Sequence, residues 1–551
     1  MTQSPISFPE GSPFHSGIAL SVANYAALSP IGFLSKAAAV HGERTAIIHG
    51  TLRQTWRETD KRCRRFASAL RRWGIQHGDT VAIIAPNTPP MFEAHFAVPM
   101  AGAVLNTLNT RLDPEAIAFQ LQHGEAKLLL VDREYSASVR RALAMCDRKP
   151  DVIDLEDMVY DGPGEPIGTM AYEAFLVGGD DGFAGLQPKN EWDPIALSYT
   201  SGTTGDPKGV VTSHRGAYLN ALSQIVTWSM PPHSVYLWTL PMFHCNGWCF
   251  PWATAAIAAV NVCLRKVEPQ VVLDLIKNHG VSHMCGAPIV YSMILSEITK
   301  SKRRLELRLN GLVAGAAPPT MMIEESERAG IDITHVYGLT EVYGPAAICV
   351  KQSEWECLPA KRRAQLNSRQ GVASLLQDAM IVLDPDSLEP VPADGTSVGE
   401  IMFRGNITMS GYLKNPEATE AAFSGGWFHT GDLAVVEADG YVRITDRSKD
   451  VIISGGENIS SIEVEDILQR YPGVSLAAVV AKADERWGEV PCAFVELQEG
   501  AVVTAEDLRK FCRKHLAGYK IPKVFQFGPI PRMATGKIPK IALREIARTK
   551  L

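Results

Sequence analysis

The sequence lacks several features that would assign it to a specialised class of protein. Its 551 residues carry no excess of positive charge, since 54 Lys and Arg stand against 60 Asp and Glu for a formal net charge of −6. That balance argues against a nucleic-acid binder. The ten cysteines are scattered along the chain. They do not form the short, dense framework of a disulfide-stabilised secreted scaffold.

Targeting and membrane signals are weak as well. The first basic residue is Lys36, so we expect no signal peptide, which begins with a charged region. The most apolar stretch, Trp248–Leu264, is interrupted by polar residues and is too short to span a bilayer. The ending Thr549-Lys550-Leu551 resembles the peroxisomal Ser-Lys-Leu signal only loosely. We therefore expect a cytoplasmic protein without an integral membrane segment.

The length and the pattern of apolar residues predict an α/β protein of at least two domains. A chain of 551 residues exceeds the size at which a single core stops growing. Up to about Leu433, short apolar runs alternate with amphipathic helices, as in layered α/β folds. The clearest predictions are strands over Thr80–Ala85, Ile195–Tyr199, Leu312–Ala314 and Thr334–Tyr337, and helices over Ser213–Trp228 and Val271–Asn278.

A charged run, Asp446–Asp450, separates two apolar segments and marks the expected domain boundary. We expect an N-terminal domain over residues 1–446 and a C-terminal α+β domain over 447–551. In the latter, Ser460 and Glu463 predict a capping box at the start of a helix. The predicted elements that follow are strands over Val474–Ala481 and Cys492–Leu497 and a helix from Thr504 to Leu516.

The C-terminal segment is locally basic. Between Ala501 and Leu551, twelve Lys and Arg stand against three acids. Such a segment suits a lid that closes over an anionic nucleotide, although most of these residues are also typical of a solvated charged surface.

A loop rich in glycine, hydroxyls and lysine follows the predicted strand Ile195–Tyr199. Its sequence is Thr200-Ser201-Gly202-Thr203-Thr204-Gly205-Asp206-Pro207-Lys208-Gly209. Glycines let the backbone turn with its N–H groups exposed, and hydroxyls and a lysine add donors for phosphate oxygens. The loop therefore predicts a polyphosphate site, although it does not contain the Walker A pattern.

Four further motifs follow in a fixed order: Tyr337-Gly338-Leu339-Thr340-Glu341, Trp427-Phe428-His429-Thr430-Gly431-Asp432, Asp446-Arg447-Ser448-Lys449-Asp450 and Thr535-Gly536-Lys537. Together with the loop, they resemble the adenylate-forming superfamily of acyl-CoA synthetases, aryl-CoA ligases, insect luciferases and peptide-synthetase adenylation domains. The resemblance runs from about Asn24 to the C-terminus. It implies a large multi-layer N-terminal domain, with β-sheets flanked by helices, and a small mobile C-terminal domain.

The resemblance implies that the protein activates a carboxylic acid with ATP. A carboxylate is a poor acyl donor because its leaving group would be oxide, and a mixed anhydride with AMP removes this obstacle. Because negative charge gathers on the α-phosphate and the departing pyrophosphate, catalysis consists mainly of cationic clamping and positioning. The implied partners are ATP, Mg²⁺, CoA and a small carboxylic acid. A homodimer is left open.

Individual residues receive nucleotide-binding roles from the same resemblance. The β- and γ-phosphates would be held by Thr200, Ser201, Gly202, Thr203, Thr204 and Lys208. Tyr337 would lie against the face of the adenine, with the backbone of Gly315, Ala316 and Ala317 at its edge, and Gly338 would belong to the same cofactor-binding set. Asp432 would accept both ribose hydroxyls, and Arg447 would reach the ribose or a phosphate.

Three residues would act at the α-phosphate. Thr340 would contact it, Glu341 would hold Mg²⁺, a hard cation that prefers oxygen ligands, and Lys537 would bridge it to the incoming carboxylate. Since a thiol must attack later from the opposite side, the family rotates its C-terminal domain, here about Lys449. The loop containing Gly455 and Gly456 would then replace Lys537 and allow close approach of the pantetheine arm.

The segment Pro241-Met242-Phe243-His244-Cys245-Asn246-Gly247-Trp248 matches the one that lines the acyl pocket in this family. His244 would lie between the carboxylate and thiol paths, and Asn246, Gly247 and Trp248 would line the pocket. No Asp or Glu occurs between Leu240 and Trp252, which argues against a free amino acid, whose ammonium group would need a buried partner. Metal binding by the nearby His and Cys residues is not expected, because no second matching half is present.

Two segments narrow the range of carboxylic acids expected as substrates: Asn24-Tyr25-Ala26-Ala27-Leu28-Ser29-Pro30 and Arg369-Gln370-Gly371-Val372. They resemble the plant and bacterial acyl-activating group, which handles short- and medium-chain, methylthio-alkanoic and some aryl or cinnamic acids. Trp248 is bulky for a tunnel wall and fits a compact acid.

The leading hypothesis is an AMP-forming carboxylate–CoA ligase. The sequence also leaves open an acyl-AMP ligase that delivers to a carrier protein, a luciferase-like oxygenase, and a nucleotide-binding regulator without catalysis. Lys537, Glu341 and Asp432 argue against the last, because a binder needs no carboxylate-bridging lysine.

Overall fold

The computed structural model describes residues 12–13, 21–200, 207–447, 449–455, 457–533 and 538–549. Within these residues the chain forms four β-sheets, three before Arg447 and one after Val451, with helices packed between and around them. The arrangement confirms the α/β class, with a large N-terminal part and a smaller C-terminal part.

A nine-stranded sheet forms one layer of the large part. Its six central strands are parallel, and antiparallel strands are added at both edges. Across the sheet the strands are Val372–Ala373, Gly344–Ile348, Ile331–Leu339, Leu309–Val313, His283–Gly286, Val235–Leu237, Val260–Val262, Thr45–His49 and Leu52–Thr55.

An eight-stranded sheet forms the second layer. Its strands are, in order, Gly411–Tyr412, Lys208–Ser213, Pro194–Thr200, Val104–Thr107, Thr80–Ile84, Ala126–Asp132, Asp151–Leu155 and Met170–Ala171. The largest hydrophobic cluster contains Val81 and Ile195 of this sheet and Tyr236 and Leu312 of the nine-stranded sheet. The two sheets therefore share one core, which brings residues far apart in sequence to one region.

The helices of the large part cover the two sheets. They span Ile31–His41, Trp56–Trp73, Pro89–Met100, Pro114–His123, Ser136–Met145, Tyr172–Val177, His214–Thr227, Phe250–Ala256, Pro269–His279, Pro288–Ser301, Thr320–Arg328, Ala360–Asn367 and Pro416–Ala422.

A four-stranded antiparallel sheet leads to the C-terminal part, with strands Ala379–Leu383, Gly399–Arg404, Phe428–Val436 and Val442–Arg447. The segment Arg369–Val372 joins this sheet to the nine-stranded one. Gly371 pairs with Val442, and the Ile444 N–H donates to the Gln370 side chain at 2.7 Å. This segment therefore holds the strand that ends at Arg447.

The C-terminal part, here called the lid, begins at Ile452. Its antiparallel strands are Glu457–Ile459, Ile452–Ser454, Gly488–Leu497 and Val474–Asp484, and Val524–Phe527 pairs in parallel with the third. Its helices are Ser461–Gln469, Ala505–Arg513 and Lys540–Thr549.

Most element predictions are confirmed, and the differences concern one helix cap and one helix end. Ser213 caps the helix His214–Thr227 by accepting from the Gly216 N–H. At the lid's first helix, Ser460 accepts from the Glu463 N–H. The expected reciprocal contact from Glu463 is replaced by its ion pair with Lys520 at 2.7 Å. The helix predicted to reach Leu516 ends at Arg513.

Across the described part of the chain, no helix is both long and apolar enough to cross a membrane.

Candidate functional site

Three residues from separate motifs meet at the edge of the four-stranded sheet. The Tyr337 hydroxyl donates to Asp432 Oδ2 at 2.6 Å, and Arg447 Nε lies 3.0 Å from Asp432 Oδ1. Asp432 and Arg447 are register partners on neighbouring strands, so the pairing of the strands itself aligns the ion pair. Burial raises the pKa of Tyr337 well above its ordinary value, which keeps the phenol a donor to the carboxylate.

Thr340 and Glu341 follow directly after the strand that carries Tyr337. They begin the short helical turn Thr340–Val342. Glu341 is 9% exposed, and its Oε1 accepts from the Tyr412 hydroxyl at 2.9 Å. Lys208 Nζ lies 4.7 Å from the centre of the Tyr412 ring. Burial raises the pKa of Glu341, while Tyr412 and the positive charge of Lys208 act in the opposite direction.

The groups around Glu341 suit a magnesium ion that enters the site already bound to a polyphosphate. Within the described ranges, no group of three or more His, Cys, Asp or Glu is arranged to hold a metal. Mg²⁺ usually keeps several waters and binds one or two carboxylates together with substrate phosphates. A single buried carboxylate next to a lysine therefore fits Mg²⁺ bound to a polyphosphate.

The ends of the predicted phosphate loop are adjacent in space. Thr200 and Lys208 are paired residues of the antiparallel strands Pro194–Thr200 and Lys208–Ser213. Ser201, Gly202, Thr203 and Thr204 lie outside the described residues, as do Gly456 and Lys537.

The predicted adenine-binding backbone follows the strand Leu309–Val313. Gly315, Ala316 and Ala317 are exposed, and Gly315 has a φ of +87°. Gly338 lies under a close neighbour, because a Cβ there would meet the Gly344 carbonyl oxygen at 1.7 Å. Position 338 therefore accepts only glycine.

The predicted acyl segment contains an unexpected left-handed turn. Five consecutive residues, 245–249, have φ between +42° and +64°, and four of them are not glycine. Each such residue costs about 1–2 kcal/mol relative to a right-handed conformation. Strain of this kind is retained where surrounding contacts impose it, often at functional sites.

Contacts of the turn with other motifs account for its conformation. Cys245 Sγ lies 3.4 Å from Thr340 Oγ1, and burial raises the pKa of this thiol to about 12. The Asn246 amide accepts from Ser198 at 2.8 Å and donates to Thr107 at 3.3 Å. The turn therefore ties the acyl segment to Thr340 and to the strand that leads into the phosphate loop.

His244 directly precedes this turn, and Trp248 is its fourth residue. Trp248 is 4% exposed and packs on Gly344, where an added Cβ would meet the indole Cδ1 at 3.0 Å. His244 is half-buried, and its Nε2 lies 3.9 Å from Cys245 Sγ. Gly247 packs on Trp238, since a Cβ would meet its ring at 3.1 Å.

In the lid, Gly455 ends the strand Ile452–Ser454 with a φ of +60°, and its N–H donates to the Trp487 carbonyl at 2.7 Å. Lys449 is exposed in the linker before this strand. Later in the lid, the Met533 carbonyl accepts from Arg111 of the large part at 3.5 Å.

Sequence reasoning missed Tyr412 and Cys245. Both contact residues that the motifs do identify, Glu341 and Thr340, from positions 71 and 95 residues away in sequence. Cys245 could have been found from its place beside His244. Tyr412 has no local signal.

Comparison with known proteins identifies the family of the chain. The family model described as AMP-binding enzyme matches residues 34–413, and that of the AMP-binding enzyme C-terminal domain matches residues 463–537. The chain is 48% identical to an acetate–CoA ligase (CCL3) of Humulus lupulus, with 96% of each chain covered. It is 45% identical to a peroxisomal trans-cinnamate:CoA ligase of Petunia hybrida, with 96% of this chain and 95% of the relative covered.

A solved structure shows the same fold. The anthranilate CoA ligase AuaEII in complex with anthranoyl-AMP superposes with a TM-score of 0.83 at 23% identity, and covers 96% of this chain and 99% of its own.

Proposed function

Because this chain belongs to the family of AMP-binding enzymes, we propose that it is an AMP-forming carboxylate–CoA ligase. It converts ATP and a carboxylic acid to acyl-AMP and pyrophosphate, and then acyl-AMP and CoA to acyl-CoA and AMP. The observation that carries the proposal is the contact of Tyr337, Asp432 and Arg447, three residues from three separate motifs.

In the first step a carboxylate oxygen attacks the α-phosphorus of ATP, and pyrophosphate leaves. Tyr337, Gly338 and the backbone of residues 315–317 bind the adenine. Asp432 accepts the ribose hydroxyls, and Arg447 stands beside the ribose or a phosphate. Thr340 and Lys537 stabilise the charge that develops on the α-phosphate. The residues of the phosphate loop hold the pyrophosphate: Thr200, Ser201, Gly202, Thr203, Thr204 and Lys208.

Magnesium would be held by Glu341 and would neutralise phosphate charge. The carboxylate is ionised for this role only if cationic neighbours offset its burial. Lys208 and Arg447 both lower the Glu341 pKa.

In the second step the CoA thiol attacks the acyl carbon, and AMP leaves. We propose that the lid first rotates about Lys449, which brings Gly455 and Gly456 to the pantetheine arm and removes Lys537. His244 stands between the carboxylate and thiol paths. Arg447, in the last strand of the large part, and Ile452, in the first strand of the lid, bracket the proposed pivot. This supports a domain boundary between Arg447 and Ile452, next to the predicted 446/447, because Arg447 still belongs to the last strand of the large part.

The proposed substrate is a short- or medium-chain or aryl acid, which would place the chain in fatty acid or aryl-acid metabolism. The relatives named for acetate and trans-cinnamate support this range. Asn246, Gly247 and Trp248 are proposed to line the pocket, whose depth Trp248 limits by packing on Gly344.

Trp248→Ala should shift acid preference towards longer chains. Loss of the indole opens space, and one methylene in an apolar pocket is worth roughly 10-fold or more in kcat/KM. The measurement is kcat/KM for acetate, butyrate, hexanoate and cinnamate, with Trp192→Ala, a 53% exposed tryptophan, as control. An unchanged order of preference would remove Trp248 from the pocket.

Asp432→Ala should raise the KM for ATP far more than the KM for the acid. The carboxylate serves ribose binding, and its loss also leaves the half-buried Tyr337 hydroxyl without this acceptor. Initial rates are measured with each substrate varied, with the exposed Asp161→Ala as control. Equal increases in both KM values would show a structural role only.

The proposed function is tested by product analysis. The chain is incubated with MgATP, a panel of acids and either CoA or a holo-carrier protein. Acyl-CoA, AMP and pyrophosphate in equal amounts support the proposal. Transfer only to the carrier would identify an acyl-AMP ligase, and light emission or oxygen uptake would identify a luciferase-like oxygenase. Binding of ATP without product would identify a regulator.

We propose the cytoplasm as the compartment, which is compatible with ten free thiols. Three relatives are named peroxisomal, among them the trans-cinnamate:CoA ligase of Petunia hybrida, and microscopy of a fusion with a fluorescent protein at the N-terminus distinguishes the two compartments.

A further inference from the structure

The last helix of the lid, Lys540–Thr549, holds the linker beside Lys449. Arg544 Nη2 donates to the Lys449 carbonyl at 2.8 Å, and the same guanidinium pairs with the Asp450 carboxylate. The Asp450 side chain is 15% exposed, so water competes little for this contact. One arginine therefore binds both a backbone and a side-chain oxygen at the proposed pivot.

The helix packs against the rest of the lid. Leu543 and Ala547 are buried in a cluster with Val480 and Phe494 of the lid's sheet. Lys540 Nζ lies 2.7 Å from Glu465 Oε1 and donates to Ser461 at 2.6 Å. Through Arg544, the Lys449 carbonyl and Asp450 are thus attached to the body of the lid.

A second set of contacts crosses the linker from the other side. Asp446, at the end of the large part, accepts from the Ser461 hydroxyl at 3.0 Å and from the Ser461 N–H. Ser460 donates to the Thr445 carbonyl. These bonds join the two sides of the linker and must break when the lid turns, whereas the bonds of Arg544 lie on the lid side and can persist in both poses.

We propose that Arg544 is a positioning residue that confines rotation of the lid to the backbone torsions next to Lys449. The φ and ψ bonds of Lys449 precede its carbonyl carbon, so they remain free to turn while the carbonyl and Asp450 move with the lid. Without Arg544, torsions further along the linker would also turn, and the lid would reach each productive pose less often. This inference rests on the two-pose cycle of the proposed function.

The test measures the width of the distance distribution between lid and large part. Cys357 is the exposed cysteine among ten, nine of which are buried, and Lys510→Cys adds an exposed site on a lid helix. Both are spin-labelled and examined by pulsed electron resonance, without ligand and with AMP plus CoA. Arg544→Ala should broaden both distributions, and Arg548→Ala, an exposed arginine one turn further along the same helix, should not.

Kinetics provide the second readout. Arg544→Ala should lower kcat for acyl-CoA formation on the order of 10- to 100-fold, the scale of a small misplacement far from the chemistry. Arg544→Lys, which keeps one cationic contact, should give intermediate width and rate. If Arg544→Ala does not fold, Asp450→Asn weakens the same contact without changing the helix.

The inference would be overturned if the distance distributions of Arg544→Ala were as narrow as those of the wild type. It would also be overturned if kcat for acyl-CoA formation fell without any broadening of the distributions. The distance measurement needs no turnover. Failure of the proposed function, seen as no acyl-CoA from acetate, butyrate or cinnamate with wild-type protein, is therefore distinguishable from failure of this inference.

Discussion

Replacement of Lys537 by alanine is expected to lower the rate of acyl-adenylate formation about 10²–10³-fold, the usual cost of removing one preorganised donor to a developing charge. Thioester formation from supplied acyl-AMP and CoA should remain within a few fold of wild type. The reason is the proposed division of labour, in which this lysine bridges the carboxylate and the α-phosphate only while the anhydride forms.

The two half-reactions are measured separately, by acid-dependent exchange of pyrophosphate into ATP and by acyl-CoA formation from acyl-AMP. Lys514→Ala removes an exposed lysine from the same lid and should leave both rates unchanged. Equal loss in the two half-reactions of Lys537→Ala would refute the division of labour.

Lys449→Pro is expected to preserve pyrophosphate exchange while lowering acyl-CoA formation by orders of magnitude. Proline fixes φ near −65° and removes the N–H, so the pivot can no longer absorb the change between two poses. Lys449 is exposed in the linker, where substitution is tolerated better than in a core. The carbonyl that accepts from Arg544 is retained in this variant.

Lys449→Ala is the matched control, because it removes the same side chain and leaves φ and ψ free. It should support both half-reactions. Acyl-CoA formation at the wild-type rate in Lys449→Pro would show that the lid does not pivot at this residue.

Local sequence signals predicted the elements that carry the motifs. Strand Pro194–Thr200 and helix His214–Thr227 lie where an apolar run and a serine cap predicted them. The motif residues Tyr337 and Asp432 are in contact. Tyr337 lies near the end of strand Ile331–Leu339, and Asp432 lies in strand Phe428–Val436, where it pairs with Arg447. The roles of these residues in catalysis stay predictions, to be decided by the variants above.

The features of the fold and of the candidate site that the sequence did not predict depend on contacts between segments far apart in the chain. Tyr412 reaches Glu341 only because its short strand adds to the edge of the eight-stranded sheet. The left-handed turn at 245–249 contradicts the local preference of four of its residues. The Glu463 side chain does not make the predicted capping contact and instead accepts from Lys520, a residue 57 positions away. No local pattern contains these partners.

The most direct test of the proposed two-step reaction follows the oxygen atoms of the acid. Acetate or butyrate labelled with ¹⁸O in both carboxylate oxygens is incubated with the protein, MgATP and CoA, and the products are analysed by mass spectrometry. Because a carboxylate oxygen attacks the α-phosphorus and stays there when the thiol displaces AMP, the proposed reaction predicts one ¹⁸O in AMP, one in acyl-CoA and none in pyrophosphate. Acyl-CoA formed together with unlabelled AMP, or with label in pyrophosphate or inorganic phosphate, would contradict it.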